Sequence, residues 1–188
     1  QSRMQPRVQF TQSGTFDYRI QVAPAAIYPG GSVGPLPGAE GKDAAASEQA
    51  VYTRLAQAID VQYHYALESR EPSELRGTVR TDLEVRAAEG WTKTDPLTPP
   101  TAFQGAEVNA SARIDMHALM TLLDQIEQET GFEARAYDVI VKPVISIQGR
   151  VGEEPVQETF ASSLAIRVDP TRVAPQGALV RSVPTQRA

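Results

Sequence analysis

The chain contains no cysteine. Disulfide scaffolds, thiolate zinc sites, iron–sulfur clusters and cysteine nucleophiles are therefore excluded. This does not fix the compartment, since an extracytoplasmic protein can do without disulfides. Histidine is nearly as scarce: His64 and His117 are the two in 188 residues, too few for a His-rich zinc site. Lysine is sparse, and arginine is scattered along strand-like segments. With a net charge of −5 and a pI near 5.1, nucleic acid is not an expected partner, because its binding rests on basic patches. No apolar run approaches the roughly 20 residues of a membrane-spanning helix. The opening QSRMQPRV has no apolar signal core either. The chain starts at Gln1 rather than Met and reads as a piece of a longer protein, so these absences say nothing about the parent.

What is present is alternation. In TFDYRIQVA, Phe16, Tyr18, Ile20 and Val22 face one way, with Asp17, Arg19 and Gln21 opposite. From Ile59 the pattern repeats: Ile59, Val61, Tyr63, Tyr65 and Leu67 fall on one face. After the turn SREPSE, Leu75, Val79, Leu83, Val85 and Ala87 alternate with charged residues. Two long alternating strands around a short polar turn predict an antiparallel hairpin. FQGAEVNASARI, ARAYDVIVKPVISIQGRV and VQETFASSLAIRVD continue in the same manner. Pro143 predicts a bulge or an exposed edge. Two stretches rich in Pro and Gly, Pro29–Ala46 and Thr94–Ala102, read as long loops. No internal repeat is visible.

One segment breaks the alternation. IDMHALMTLLDQIEQETGF predicts a helix over roughly 115–130, with Asp115 as N-cap and Gly131 as the C-terminal stop. At 100° per residue, Leu119, Leu122, Leu123 and Ile126 form an apolar stripe. His117 and Asp124 share the face farthest from it. A catalytic or metal-binding pair projects into a cleft and is held by further contacts; this pair is expected in solvent. Glu127 and Glu129, at the flanks, read as solubilising.

Other candidates fare no better. His64 lies on the polar face of its strand, and no spacing brings it to His117 with acids. GGSVG lacks the strand-then-helix context of a nucleophile elbow and the Lys-Ser/Thr ending of a phosphate loop. SGT is equally superficial. Tyr63 and Tyr65, with Trp91, could line a pocket, but alternation already assigns the tyrosines to a core. The triplet Asn109–Ser111 matches the N-glycosylation pattern, which is common by chance. No catalytic, cofactor-binding or metal-ligating residue is assigned, and no cofactor is expected.

The order of features resembles the domain of unknown function 5305 family of archaeal and bacterial membrane proteins. The resembling stretches are FDYRIQVAPAAIYP, IDVQYHYALE, LRGTVRTDLEVRAAEGWTKT, LMTLLDQIEQETGF, YDVIVKPVISIQGRVG and FASSLAIRVD. They cover roughly Phe16 to Asp169. The resemblance implies an extracytoplasmic domain held between membrane segments, and it carries no catalytic residues over.

Together these readings predict an antiparallel β-sandwich of about six to seven long strands with one amphipathic helix packed against it. The expected layout is an N-terminal extension over 1–14, a single β-rich extracytoplasmic domain over 15–169, and a C-terminal tail or linker toward a membrane segment over 170–188. The expected role is a non-enzymatic scaffold or interaction module whose partner is a cell-envelope or membrane protein. The alternative is a ligand-binding module holding a lipid, glycan or peptide in an apolar pocket between sheet and helix.

Overall fold

The structure is a computed structural model and describes residues 8–35 and 50–187. The strands are β1 (Val8–Val22), β2 (Ser32–Val33), β3 (Val51–Tyr52), β4 (Ala56–Ser69), β5 (Ser73–Ala87), β6 (Thr92–Gln104) and β7 (Glu107–Asp115). Helix α1 (Met116–Thr130) follows, then β8 (Tyr137–Val151), β9 (Glu154–Ala161), β10 (Leu164–Val168), β11 (Arg172–Gln176) and β12 (Val180–Arg187). They form two antiparallel sheets. One runs β12-β1-β4-β7, with β2 also on β1; the other runs β3-β11-β10-β8-β5-β6, with β9 also on β8. The β-sandwich expected from the alternation is the architecture found.

The alternation positions the core. Phe16, Tyr18, Ile20, Ile59, Val61, Tyr63 and Tyr65 of the first sheet are buried, as are Val139, Val141, Ile145 and Ile147 of the second. All of them belong to one apolar cluster. Burying each such side chain contributes about 1.5–3 kcal/mol, enough to fix the register, since a one-residue slip would turn every one of them outward.

Among the described residues six strands have nine or more residues, in line with the six to seven long strands expected, and six shorter ones join them. Several expectations are corrected. The expected N-terminal extension belongs to the sheet from Val8 on: Phe10 and Gln12 continue the alternation and are each 3% exposed. The expected C-terminal tail carries β11 and β12, and β12 pairs with β1 from Val8↔Arg187 to Thr15↔Val180. Thr94–Ala102 is not a loop but lies within β6. Its prolines, Pro96, Pro99 and Pro100, are accommodated because β6 is an edge strand whose pairing with β5 is irregular around Thr81. Of the other expected loop, Pro29–Ala46, positions 36–46 lie outside the described residues, and Ser32–Val33 is strand.

Pro143 is at neither an edge nor a bulge of its own strand. It is buried in the middle of β8, which carries β5 on one side and both β9 and β10 on the other. Val144 pairs with Ala161 and Val141 with Leu164, so Ser162 stands opposite Pro143 with no slip in register. Ser162 donates its N–H to the Pro143 carbonyl at 3.2 Å. The reciprocal bond cannot form, because proline has no N–H. The disturbance appears on the neighbouring strand, splitting VQETFASSLAIRVD into β9 and β10.

At that break the sheets are joined by a polar contact. Tyr63, from β4, shares a 2.7 Å hydrogen bond with Ser162 Oγ, and both side chains are buried. Gly14, on β1, provides the room: a Cβ there would fall on Tyr63 Oη and lie 2.7 Å from its Cζ. Gly14→Ala is therefore expected to destabilise the fold by about 1–3 kcal/mol through overpacking. The loss should shrink in a Tyr63→Phe background, as chemical denaturation will show; an equal loss in both backgrounds overturns the assigned contact.

Candidate functional site

Helix α1 closes one end of the sandwich. Asp115 accepts from the Ala118 N–H at 2.8 Å, and Gly131 ends the helix in the left-handed conformation, φ 70°, donating to the Glu127 carbonyl. Met116, Leu119 and Leu123 are buried in the shared core, while Leu122 and Ile126 are half-buried. These side chains occupy the space that a pocket between sheet and helix would need. His117 and Asp124 are exposed, on the face placed farthest from the apolar stripe.

The helix residue with a cross-structure polar partner is Glu127, which accepts a 2.6 Å hydrogen bond from Tyr137 Oη. Burial, and then the Glu127 carboxylate beside it, push the Tyr137 phenol above its ordinary pKa. Trp91 packs against Tyr137 with ring centroids 5.8 Å apart, and its indole nitrogen is buried without a hydrogen-bond partner. Phe132 lies over Gly90, where a Cβ would come within 2.5 Å of its ring. Trp91 thus belongs to a corner formed by the 88–91 turn, Tyr137 and the C-terminal end of α1. It does not join Tyr63 and Tyr65, which are 3% and 0% exposed within the core. Sequence spacing gave no signal for this corner, because its members are joined only by the fold. Glu129, the other flanking acid, accepts from Gln125 one turn earlier at 2.9 Å.

Two pairs of polar side chains in the interior serve each other. Besides Tyr63–Ser162, Tyr65 donates to Gln12 Oε1 at 2.7 Å. Phe16 stacks obliquely on Tyr63 at 4.9 Å, and Tyr65 on Phe160 at 5.5 Å. Arg181, from β12, lies 5.0 Å over the Phe160 ring and donates to the Ala161 carbonyl, closing that edge across the sheets. A void of about 10 Å³ touches Phe16, Tyr63, Thr81 and Pro143, too small for any ligand.

The larger depressions lie on outer surfaces. One of about 590 Å³ crosses the second sheet over Gly77, flanked by Arg76, Thr78, Gln148 and Gln157. One of about 480 Å³ on the first sheet is lined by Asp17, Arg19, Asp60 and Arg113. One of about 580 Å³, at the loops of the helix end, is bordered by Tyr52, Arg54 and Pro170. Charges on these outer faces are paired locally: Arg113 with Asp60 at 3.2 Å, and Glu84 with Arg86 at 2.8 Å and Lys142 at 3.4 Å. His64 Nδ1 lies 2.7 Å from Asn109 Oδ1 on the adjacent strand. Ser32 of GGSVG pairs in β2 opposite Gln21, and Ser13 of SGT lies in β1, so neither serine stands on a nucleophile turn. Asp169 is held below the usual carboxylate range by the backbone N–H groups of Arg172 and Thr171, which cap its turn. Among the described residues, no group of three or more His, Cys, Asp or Glu could hold a metal ion. Nor is any helix among them long and apolar enough to cross a membrane.

No protein-family model matches the chain, and no curated protein matches it. A solved structure, described as "Crystal structure of protein from Archaeoglobus fulgidus", is similar over 64% of this chain and 94% of that one, at 8% identity and a TM-score of 0.29. A likeness of that degree decides neither fold nor role.

Two outcomes follow from these placements. Replacing His117 and Asp124 together with Ala should change stability by no more than about 0.5 kcal/mol, whereas Tyr137→Phe should cost about 1.5 kcal/mol; thermal melts compare them directly. Burial raises the Tyr18 and Tyr63 phenols from 10.0 to about 12. Because the folded pKa lies above the unfolded one, the stability linked to these neutral phenols is complete below pH 10 and is lost as pH rises through about 12. Ultraviolet titration should show late-ionising tyrosines coincident with alkaline unfolding, with one fewer in Tyr63→Phe.

Proposed function

We propose that this chain is a non-enzymatic interaction domain, tethered at one end to a membrane and standing outside the cytoplasm. The observation that carries the reading is the side-by-side arrangement of β1 and β12. Their pairing begins at Val8↔Arg187, at the end of the sandwich that also holds the 70–72, 105–106 and 152–153 turns. Helix α1 and the 23–31 and 169–171 loops lie at the other end. A domain carried between two membrane segments has to receive and return its chain at one end, and this arrangement suits that demand. Further support comes from the interior, where the Tyr63 and Tyr65 hydroxyls pair with Ser162 and Gln12 instead of converging on an open cleft. The presenting surfaces are then the helix end, with exposed Ile27 and Tyr52, and the outer sheet faces.

The test is protease accessibility of the full-length protein in its own host. On intact cells, added protease should cut or release the domain, while membrane fractionation retains the remainder. A domain protected in intact cells and recovered with the cytosol overturns the reading.

A further inference from the structure

The sheet edges are treated unequally. Among the described residues, the edge strands longer than two residues are β6, β9, β12 and β7. Three of them carry proline: Pro96, Pro99 and Pro100 in β6, Pro155 in β9 and Pro184 in β12. Proline removes a ladder donor and discourages addition of another strand. β7, EVNASARID, has no proline and no lysine, and its pairing with β4 is unbroken from Ala58↔Asp115 to Ala66↔Glu107. Its outer edge lacks the proline that the other three carry.

The direction of its backbone groups can be worked out. Leu67 donates its N–H to the Ala106 carbonyl at 2.8 Å, which makes that position a hydrogen-bonded pair. In an antiparallel ladder such pairs alternate, so Val108, Ala110, Ala112 and Ile114 direct their backbone groups to β4. Asn109, Ser111 and Arg113 direct theirs to the open edge. The inward side chains Ala110 and Ala112 are small and only half-buried, leaving room beside them.

We propose that β7 pairs antiparallel with β7 of a second copy of this chain, centred on Ala110. Charge selects both the partner and the register. With Ala110 opposite itself, Glu107 of each copy stands opposite Arg113 of the other, and Asn109 opposite Ser111, so two oppositely charged pairs form by symmetry. Moving the centre to Ser111 sets Glu107 against Asp115, a like-charge juxtaposition repeated twice. Arg113 and Glu107 are both exposed, and the bond of Arg113 to Asp60 uses one guanidinium nitrogen, Nη1, which leaves donors for Glu107 of the second copy. The joined sheet runs continuously through both copies. Antiparallel pairing sends the chain ends of the two copies to opposite ends of the assembly, so it links copies on facing surfaces. The pairing does not depend on tethering, and its test uses the soluble chain alone.

The chain has no cysteine, so a single introduced thiol reports the register. Ala110→Cys should form an intermolecular disulfide under mild oxidation, while Val108→Cys, opposite Ala112, should not. Sedimentation velocity should show a concentration-dependent dimer. Ser111→Pro, which removes an N–H from the open edge and none from the β4 ladder, should weaken it about tenfold or more; circular dichroism checks that the variant folds. Glu107→Arg should weaken it as well. A monomer at every concentration with no Ala110→Cys cross-link overturns the proposal. A cross-link at Ser111→Cys instead overturns the register, and a co-purifying foreign strand on β7 overturns the choice of partner.

Discussion

Pro143 has no N–H to give, and it stands in the middle of the strand that holds the second sheet together. In most sheets such a residue sits at an edge. Here the neighbouring strand absorbs the deficit: Ser162 keeps the one ladder bond still possible and turns its hydroxyl inward. Tyr63 from the opposite sheet meets that hydroxyl, and Gly14, lacking a Cβ, leaves the space for the phenol. Thr81 on the far side of Pro143 continues the line, donating its N–H to the Thr98 hydroxyl where β5 and β6 lose regular register. A single missing donor thus organises a row of residues across the sandwich, and the row holds the main polar link between the two sheets.

The long strands were legible because each buries one face, so apolar residues recur at every second position. The helix was legible for a related reason, with an N-cap, a stripe and a glycine stop written locally. What escaped was set by partners distant in sequence. PQGALVRSVPTQR reads equally as a tail or as a short final strand, and what decides for the strand is Val8–Thr15, which is there to pair with it. Nothing in TKTDPLTPPTAFQ suggests a strand, since three prolines ordinarily end a ladder; β5 tolerates them because it leaves β6 as an edge. The row through Pro143 is equally non-local: Tyr63 and Ser162 are 99 positions apart.

The candidate site was legible mainly in what it is not. The outward placement of His117 and Asp124 follows from helical geometry alone, and the structure has both exposed. The roles of Glu127 and Trp91 were not legible, because a residue at the flank of a helix and one in a turn acquire them only when Tyr137 is brought between the two. The core tyrosines Tyr63 and Tyr65, which invite inspection for chemistry, hydrogen-bond to Ser162 and Gln12 inside the core. Open polar capacity remains on the outer faces and on the backbone of β7.

The arrangement of β1 and β12 also has a mechanical meaning. If the two ends of the domain are pulled apart, the load falls across the Val8↔Arg187 pair first and then on the next rung. The rungs open in succession, as in a zipper, instead of resisting together as strands do when sheared lengthwise. Pro184 takes no bond from that zipper: the Phe16 N–H bond to the Leu179 carbonyl fixes the alternation, which puts the missing donor of Pro184 on the open edge. Release of the eight residues of β12 would lengthen the connection by about 26 Å at 3.3 Å per residue, and it would lift Arg181 from Phe160 and Ala161. The remaining ladder of β1 with β4 and the Tyr63–Ser162 link do not lie on that path. The fold therefore holds a short reserve of length at its ends that can be drawn out before the core is loaded.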